Sequence, residues 1–275
     1  MAGNTDTPRS RSLAISLRVG RSLATTLLSL GVALLLWAGI IKVLNLNPYF
    51  AKNPVDVYDL LFRGPLAAAQ RSLLVSASIT TLRDAALGFG CGTAVAIAVA
   101  VGVVLRRGFA QTVMPVAIAL RSVPLVAMTP LLTLIFGQGL VTVALISGIV
   151  TFFPSLVNIV AGLRSVTPQT YDLFRAYGAR ERTVLLRLQA PYAVPSLFTA
   201  ARIAAPGALL GAILAEWLAT GQGLGYIMVT SSSESRYATL WATIAIITVV
   251  SVVIYNLVSI FERAIAERFG IGIVR

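Results

Sequence analysis

The sequence predicts an all-α integral membrane protein that crosses the bilayer six times. Three observations carry that expectation: an apolar composition, long runs without charge, and a lopsided distribution of arginines. Of 275 residues, 57% are hydrophobic and only 12% charged, with a mean hydropathy of +0.86. Soluble domains carry about twice that share of charge. A helix needs about 20 apolar residues to cross roughly 30 Å of hydrocarbon. Residues 22–41, 85–105, 122–163 and 237–261 contain no Asp, Glu, Lys or Arg. The third of these is long enough for two spans, with Gly137-Gln138-Gly139 as the natural break. A sixth candidate covers 197–219, interrupted only by Arg202 and Glu216. Transmembrane strands alternate apolar and polar residues, and VALLLWAGII does not. A helix satisfies its backbone hydrogen bonds within the segment, as lipid requires.

The net charge of +12 is explained by topology. With a cytoplasmic N-terminus, the inner segments hold 14 basic residues and the outer loops four (Lys52, Arg63, Arg71, Arg236). That bias places both termini in the cytoplasm and removes the need for a nucleic-acid partner. The domain reading follows: a cytoplasmic tail over 1–21, a six-span domain over 22–262 with an inner segment at 164–195, and a cytoplasmic tail over 263–275. The first apolar run is about 20 residues, longer than the 7–15 of a signal peptide, and no small-residue cleavage pattern follows it. It reads as a retained anchor.

Absent residues exclude chemistry. There is no histidine and one cysteine, Cys91, so His- or Cys-based metal sites and Ser-His or Cys-His nucleophile pairs are excluded. A phosphate-cradling loop needs Gly before Lys, whereas Lys42 follows Ile41 and Lys52 follows Ala51. GFGCG (88–92) opens an apolar helix, where small residues permit close helix packing. GQGLG (221–225) falls in an outer loop, with no βαβ unit around it. Nothing here suggests an enzyme.

The inner segment YDLFRAYGARERTVLLRLQAP (171–191) carries Arg175, Arg180, Arg182 and Arg187 against Asp172 and Glu181. Tyr171–Leu188 reads as helical, with the acid first and arginines later, as the helix dipole favours. Gly178 interrupts it, so one helix or two meeting there both fit. By composition alone it is an interfacial amphipathic helix on anionic headgroups. Its spacing resembles the cytoplasmic signature E-A-A-x3-G-x9-I-x-L-P of binding-protein-dependent ABC importer permeases. The acid falls on Asp172, the glycine on Gly178, the apolar position on Leu188 and the proline on Pro191. Asp replaces Glu, Leu173 and Phe174 replace the alanines, and Ala190 replaces leucine. ALRSVPLVAMTPLLTLIFGQG (119–139), PSLFTAARIA (195–204) and AEWLATGQGLGYIM (215–228) resemble the nitrate, sulfonate and taurine permeases.

That resemblance covers roughly residues 20–265 and implies a type I importer permease fold, a second copy of the chain, and separate ABC ATPase subunits that bind ATP and Mg. It also implies an extracytoplasmic solute-binding protein and a home in the bacterial cytoplasmic membrane. Asp172, Leu173, Phe174, Gly178, Ala179, Leu188 and Pro191 become the expected ATPase-docking residues. The implied solute is a small anion such as a sulfonate, taurine or nitrate, with heterocyclic vitamin precursors as the alternative. A secondary transporter is the other class, and the scarcity of ionisable residues in the spans argues against it.

Two residues inside the apolar stretches are candidates for the solute path or its outer gate. Glu216 is an acid beside Trp217, and intramembrane acids usually face a cavity or partner; a solvated interfacial acid is the competing reading. Arg121 lies beside Pro124 and Pro130, which bend or break helices. It snorkels to the inner surface or attracts an anionic solute. Arg202 reads as a snorkelling residue too.

Overall fold

The computed structural model describes residues 28–268, and every regular element among them is helical. The expected N-terminal tail and the last seven residues lie outside them. The chain divides into two compact units, residues 1–67 and 68–275.

The first unit holds α1 (Leu28–Val43) and α2 (Pro54–Phe62). Leu35, Leu36 and Val43 on α1 are more than half exposed, as on a helix that meets lipid. The α2 helix starts at a proline, which has no N–H to leave unpaired, and the Asp56 carboxylate accepts the Asn53 backbone N–H at 2.8 Å. The region 45–83, read as an outer loop with room for a short helix, holds α2, and α3 already begins at Ala67.

The second unit contains α3 (Ala67–Leu105), α4 (Arg107–Arg121), α5 (Leu125–Phe136), α6 (Leu140–Leu163), α7 (Pro168–Ala176), α8 (Glu181–Thr220), α9 (Gly223–Ser233) and α10 (Tyr237–Arg268). Four of these, α3, α6, α8 and α10, are long and apolar enough to cross a membrane. The break at Gly137-Gln138-Gly139 falls where expected, and the helix that precedes it is short. The 12-residue α5 reaches about 18 Å, short of the hydrocarbon thickness. Together α4 and α5 make a helix broken at 122–124, where Pro124 becomes the N-cap of α5 and forces Val123 out of helical backbone.

The core is built by small residues. An extensive helix pairing joins α6 to α8. A side chain at Gly211 would run into Ser147, and one at Gly162 into Ser196. From α3, side chains at Gly88 or Gly92 would likewise meet Ser147 or Thr151 of α6. This is the small-residue packing that lets membrane helices approach closely, as expected for GFGCG. Ser147 Oγ donates to the Ala208 carbonyl at 2.9 Å, so the buried hydroxyl is satisfied across the contact. Beside it, Leu156, Ile159, Val160, Leu163 and Leu185 form an apolar cluster with Ala96, Ala100 and Val103.

The α8 helix is continuous over 40 residues, about 60 Å, with π turns at Leu185–Gln189 and Glu216–Thr220. Pro191 follows the first; a widened turn is one way a helix accommodates a proline that offers no N–H.

Candidate functional site

The arginine-rich segment is built as helix, tight turn, helix. Its first helix, α7, opens with Pro168 in its first turn and ends at Tyr177. Gly178, at φ +75°, then takes the left-handed conformation that glycine adopts without strain. Gly178 N–H donates to the Arg175 carbonyl at 2.9 Å and Ala179 N–H to the Phe174 carbonyl at 3.1 Å. These two bonds make a Schellman motif, so the helix stops here and restarts at Glu181. Across the turn, Arg175 meets Glu181 at 2.9 Å, and the Tyr171 hydroxyl donates to the same carboxylate at 3.2 Å.

No residue of α7 is buried. Asp172 and Gly178 are exposed, Phe174 and Ala179 half-buried, and Pro191 exposed. Leu173 is 55% and Tyr177 85% exposed; four residues apart, they share one helical face. Arg175, Arg180, Arg182 and Arg187 of the same segment are exposed too, so the segment presents apolar and basic side chains together, as contact patches do. Leu188 is placed differently: it is buried (5%), on the core side of the π turn. Sequence reasoning missed Tyr177, though its i+4 spacing from Leu173 could have revealed it.

About eight turns further along α8, the helix ends in a second tight corner. Glu216 is fully buried (0%), so it is not the solvated interfacial acid that was one expectation. Its Oε2 accepts the Gly225 N–H at 2.9 Å and the Thr81 hydroxyl, from α3, at 2.9 Å. Thr81 Oγ1 in turn accepts the Leu224 N–H at 2.9 Å. Those amides open α9, whose positive end favours a carboxylate. Gly221 (φ +66°) stops α8, and Gly223 (φ +87°) lies directly over the Glu216 carboxyl, where any Cβ would collide with it. The GQGLG motif is therefore a carboxylate cradle at a helix corner. GQGLG, expected within an outer loop, instead leads into α9 (Gly223–Ser233).

Arg121 ends α4, exposed, with its guanidinium 4.9 Å from the centroid of the Phe153 ring on α6. Arg202 does not simply snorkel. It meets Glu262 of α10 at 3.1 Å, and Thr199 donates to the other oxygen of Glu262 at 3.5 Å. Sequence reasoning missed both Thr81 and Glu262, which ordinary side-chain rules class as helix filler and tail charge.

Relatives match this chain over most of its length. The riboflavin transport system permease protein RibX of Chloroflexus aurantiacus is 29% identical over 260 residues, 94% of each chain. The taurine transport system permease protein TauC of Escherichia coli is 25% identical over 253 residues, 88% of each. The crystal structure of an amino acid ABC transporter with histidines matches with a TM-score of 0.58 at 19% identity, covering 72% of this chain and 96% of that one, a likeness of fold. Residues 90–268 match the family described as "Binding-protein-dependent transport system inner membrane component". The chain belongs to that family: it is an all-α permease subunit of an ABC importer, with the type I fold, and a transport subunit rather than an enzyme.

Proposed function

We propose that two copies of this chain form the solute pathway of an ATP-driven importer in a bacterial cytoplasmic membrane. Each copy crosses six times, with α4 and α5 together as the third span and the tails 1–21 and 263–275 in the cytoplasm. ATP and Mg are held by separate ATPase subunits, and an extracytoplasmic binding protein delivers the solute. The observation that carries this reading is the exposed, Schellman-closed turn of the arginine segment, which presents Leu173 and Tyr177 together with exposed arginines.

Asp172, Leu173, Phe174, Gly178, Ala179 and Pro191 form the surface offered to the ATPase. Leu188 supports them from beneath, locking the segment to the core. Because α8 is unbroken from Glu181 to Thr220, closure of the ATPases on the segment tilts the far end of the same helix. Such closure drives transport only by binding one state better; about 5.5 kcal/mol moves a 1:99 equilibrium to 99:1. Arg121 lines the path, where its exposed guanidinium attracts an anion, and Glu216 belongs to the outer gate as a structural part.

The solute is a small anion of the sulfonate, taurine or nitrate kind, supported by the resemblance over 119–139 and by the taurine relative. A heterocyclic vitamin or its precursor is the second reading, favoured by the riboflavin relative, which is more similar over more of the chain. One experiment divides them. The permease is co-purified with its ATPase into lipid discs, and hydrolysis is measured with binding protein loaded with taurine, nitrate or riboflavin. Stimulation by one class assigns the solute. Uptake by this chain with no ATPase present, or labelling of Arg175–Arg187 from outside intact cells, would refute the importer reading.

A further inference from the structure

The corner between α8 and α9 is held by three hydrogen bonds of different reach. Gly225 N–H to Glu216 Oε2 closes the corner on itself, joining residues nine apart. Thr81 is the contact from α3: it accepts from Leu224 and donates to Glu216. A threonine hydroxyl has one proton, and here it has two acceptors. Besides Glu216 Oε2, the Ala77 carbonyl one turn back lies 3.1 Å from Thr81 Oγ1.

We propose that Thr81 is a positioning residue that docks the preassembled α8–α9 corner on α3, and that transport proceeds by undocking it. The two-acceptor arrangement makes this possible. When the corner leaves, the Thr81 proton turns to Ala77, so no buried donor is orphaned on α3. A buried polar group left without a partner carries a penalty of about 1–3 kcal/mol, and α3 escapes it. The corner keeps its own bond from Gly225 to Glu216 and remains folded as it moves. Only the Leu224 amide loses its partner; it lies in the first turn of α9, where water satisfies such groups once they are uncovered.

A dock whose release leaves no orphaned donor on α3 is a two-state element. It stands at the far end of the helix that begins at the arginine segment, so this inference rests on the importer reading for its purpose.

The test compares Thr81→Val, which keeps the shape and removes the hydroxyl, with Thr81→Ser, which keeps the hydroxyl. Amide hydrogen exchange of the full chain in lipid discs reads the dock directly. Thr81→Val is expected to speed exchange at Leu224 by about tenfold, the worth of one hydrogen bond, leaving Gly225 slower; Thr81→Ser stays at the wild-type rate. In the assembly with its ATPase and binding protein, Thr81→Val raises hydrolysis without loaded binding protein and lowers solute moved per ATP. Thr81→Ser restores both. Unchanged exchange at Leu224 in Thr81→Val overturns the dock. Faster exchange with an unchanged solute-to-ATP ratio also overturns the proposal, because Thr81 is then only structural. If the wild-type assembly moves no solute with ATP, the importer reading fails, and the exchange measurement still decides the dock.

Discussion

The two ends of α8 solve opposite problems with similar parts. Each is a short helix and a tight turn set by a positive-φ glycine, Gly178 at one end and Gly223 at the other. At the arginine end nothing on α7 is buried, and the ion pair Arg175–Glu181 is about half exposed on both sides. At the Glu216 end the carboxyl and the Thr81 hydroxyl are at 0% exposure. The contrast teaches where energy resides. Water can replace any partner at the arginine end, so that end contributes little to stability and is free to serve as a surface. At the other end the groups are shut away from water and depend on one another, so that end is structurally exacting.

Breaking the buried corner should have the largest effect on folding. Glu216→Ala leaves the Gly225 amide without its acceptor and opens a cavity, a loss of about 3–5 kcal/mol. In detergent, the apparent unfolding temperature should fall by about 10 °C. A shift of under two degrees, on the same scale, would mean that the carboxyl is not the corner's keystone. Next comes the pair between α8 and α10. Arg202→Ala strands Glu262, but Arg202 is about one-third exposed, so screening limits the loss to about 1–2 kcal/mol. Exchanging the charges, Arg202→Glu with Glu262→Arg, should recover part of it; a double variant no better than the worse single one rules out a direct pair.

At the arginine end the order of effects reverses between stability and transport. Gly178→Val places a β-branched residue at φ +75°, straining the turn by about 1–2 kcal/mol, while no atom lies within 4 Å to clash with it. Membrane insertion should match wild type while ATP-driven uptake is lost. Full uptake by this variant would remove Gly178 from the docking surface. Smallest is Glu181→Ala, which removes an exposed pair worth under about 1 kcal/mol. Its unfolding temperature should be indistinguishable from wild type, and a large drop would mean that the pair is sequestered.

Much of this was legible in the chain because it is local. Gly178 ends a helix, since a left-handed residue is needed wherever α7 stops, and its spacing from Asp172 and Pro191 survives any packing. Gly88 and Gly92 mark a close helix contact for an equally local reason: small residues in an apolar run leave room for a neighbour. What failed also failed for a reason. The apolar run 122–136 looked like a span because hydropathy ignores where prolines divide a helix. GQGLG looked like plain loop because propensity ignores a capping carboxylate supplied from elsewhere.

The sequence alone determined that the chain lives in lipid, that it is helical, and that it carries an arginine-rich turn framed by acid, glycine and proline. These follow from composition and short spacings, whose free energies are settled within a few residues. Tertiary structure alone decided that Glu216 meets Thr81, 135 residues away, that Arg202 meets Glu262, and that Leu188 faces the core. A buried polar group must find a partner, but which one it finds depends on which helices come together, and that is written in the packing of whole surfaces.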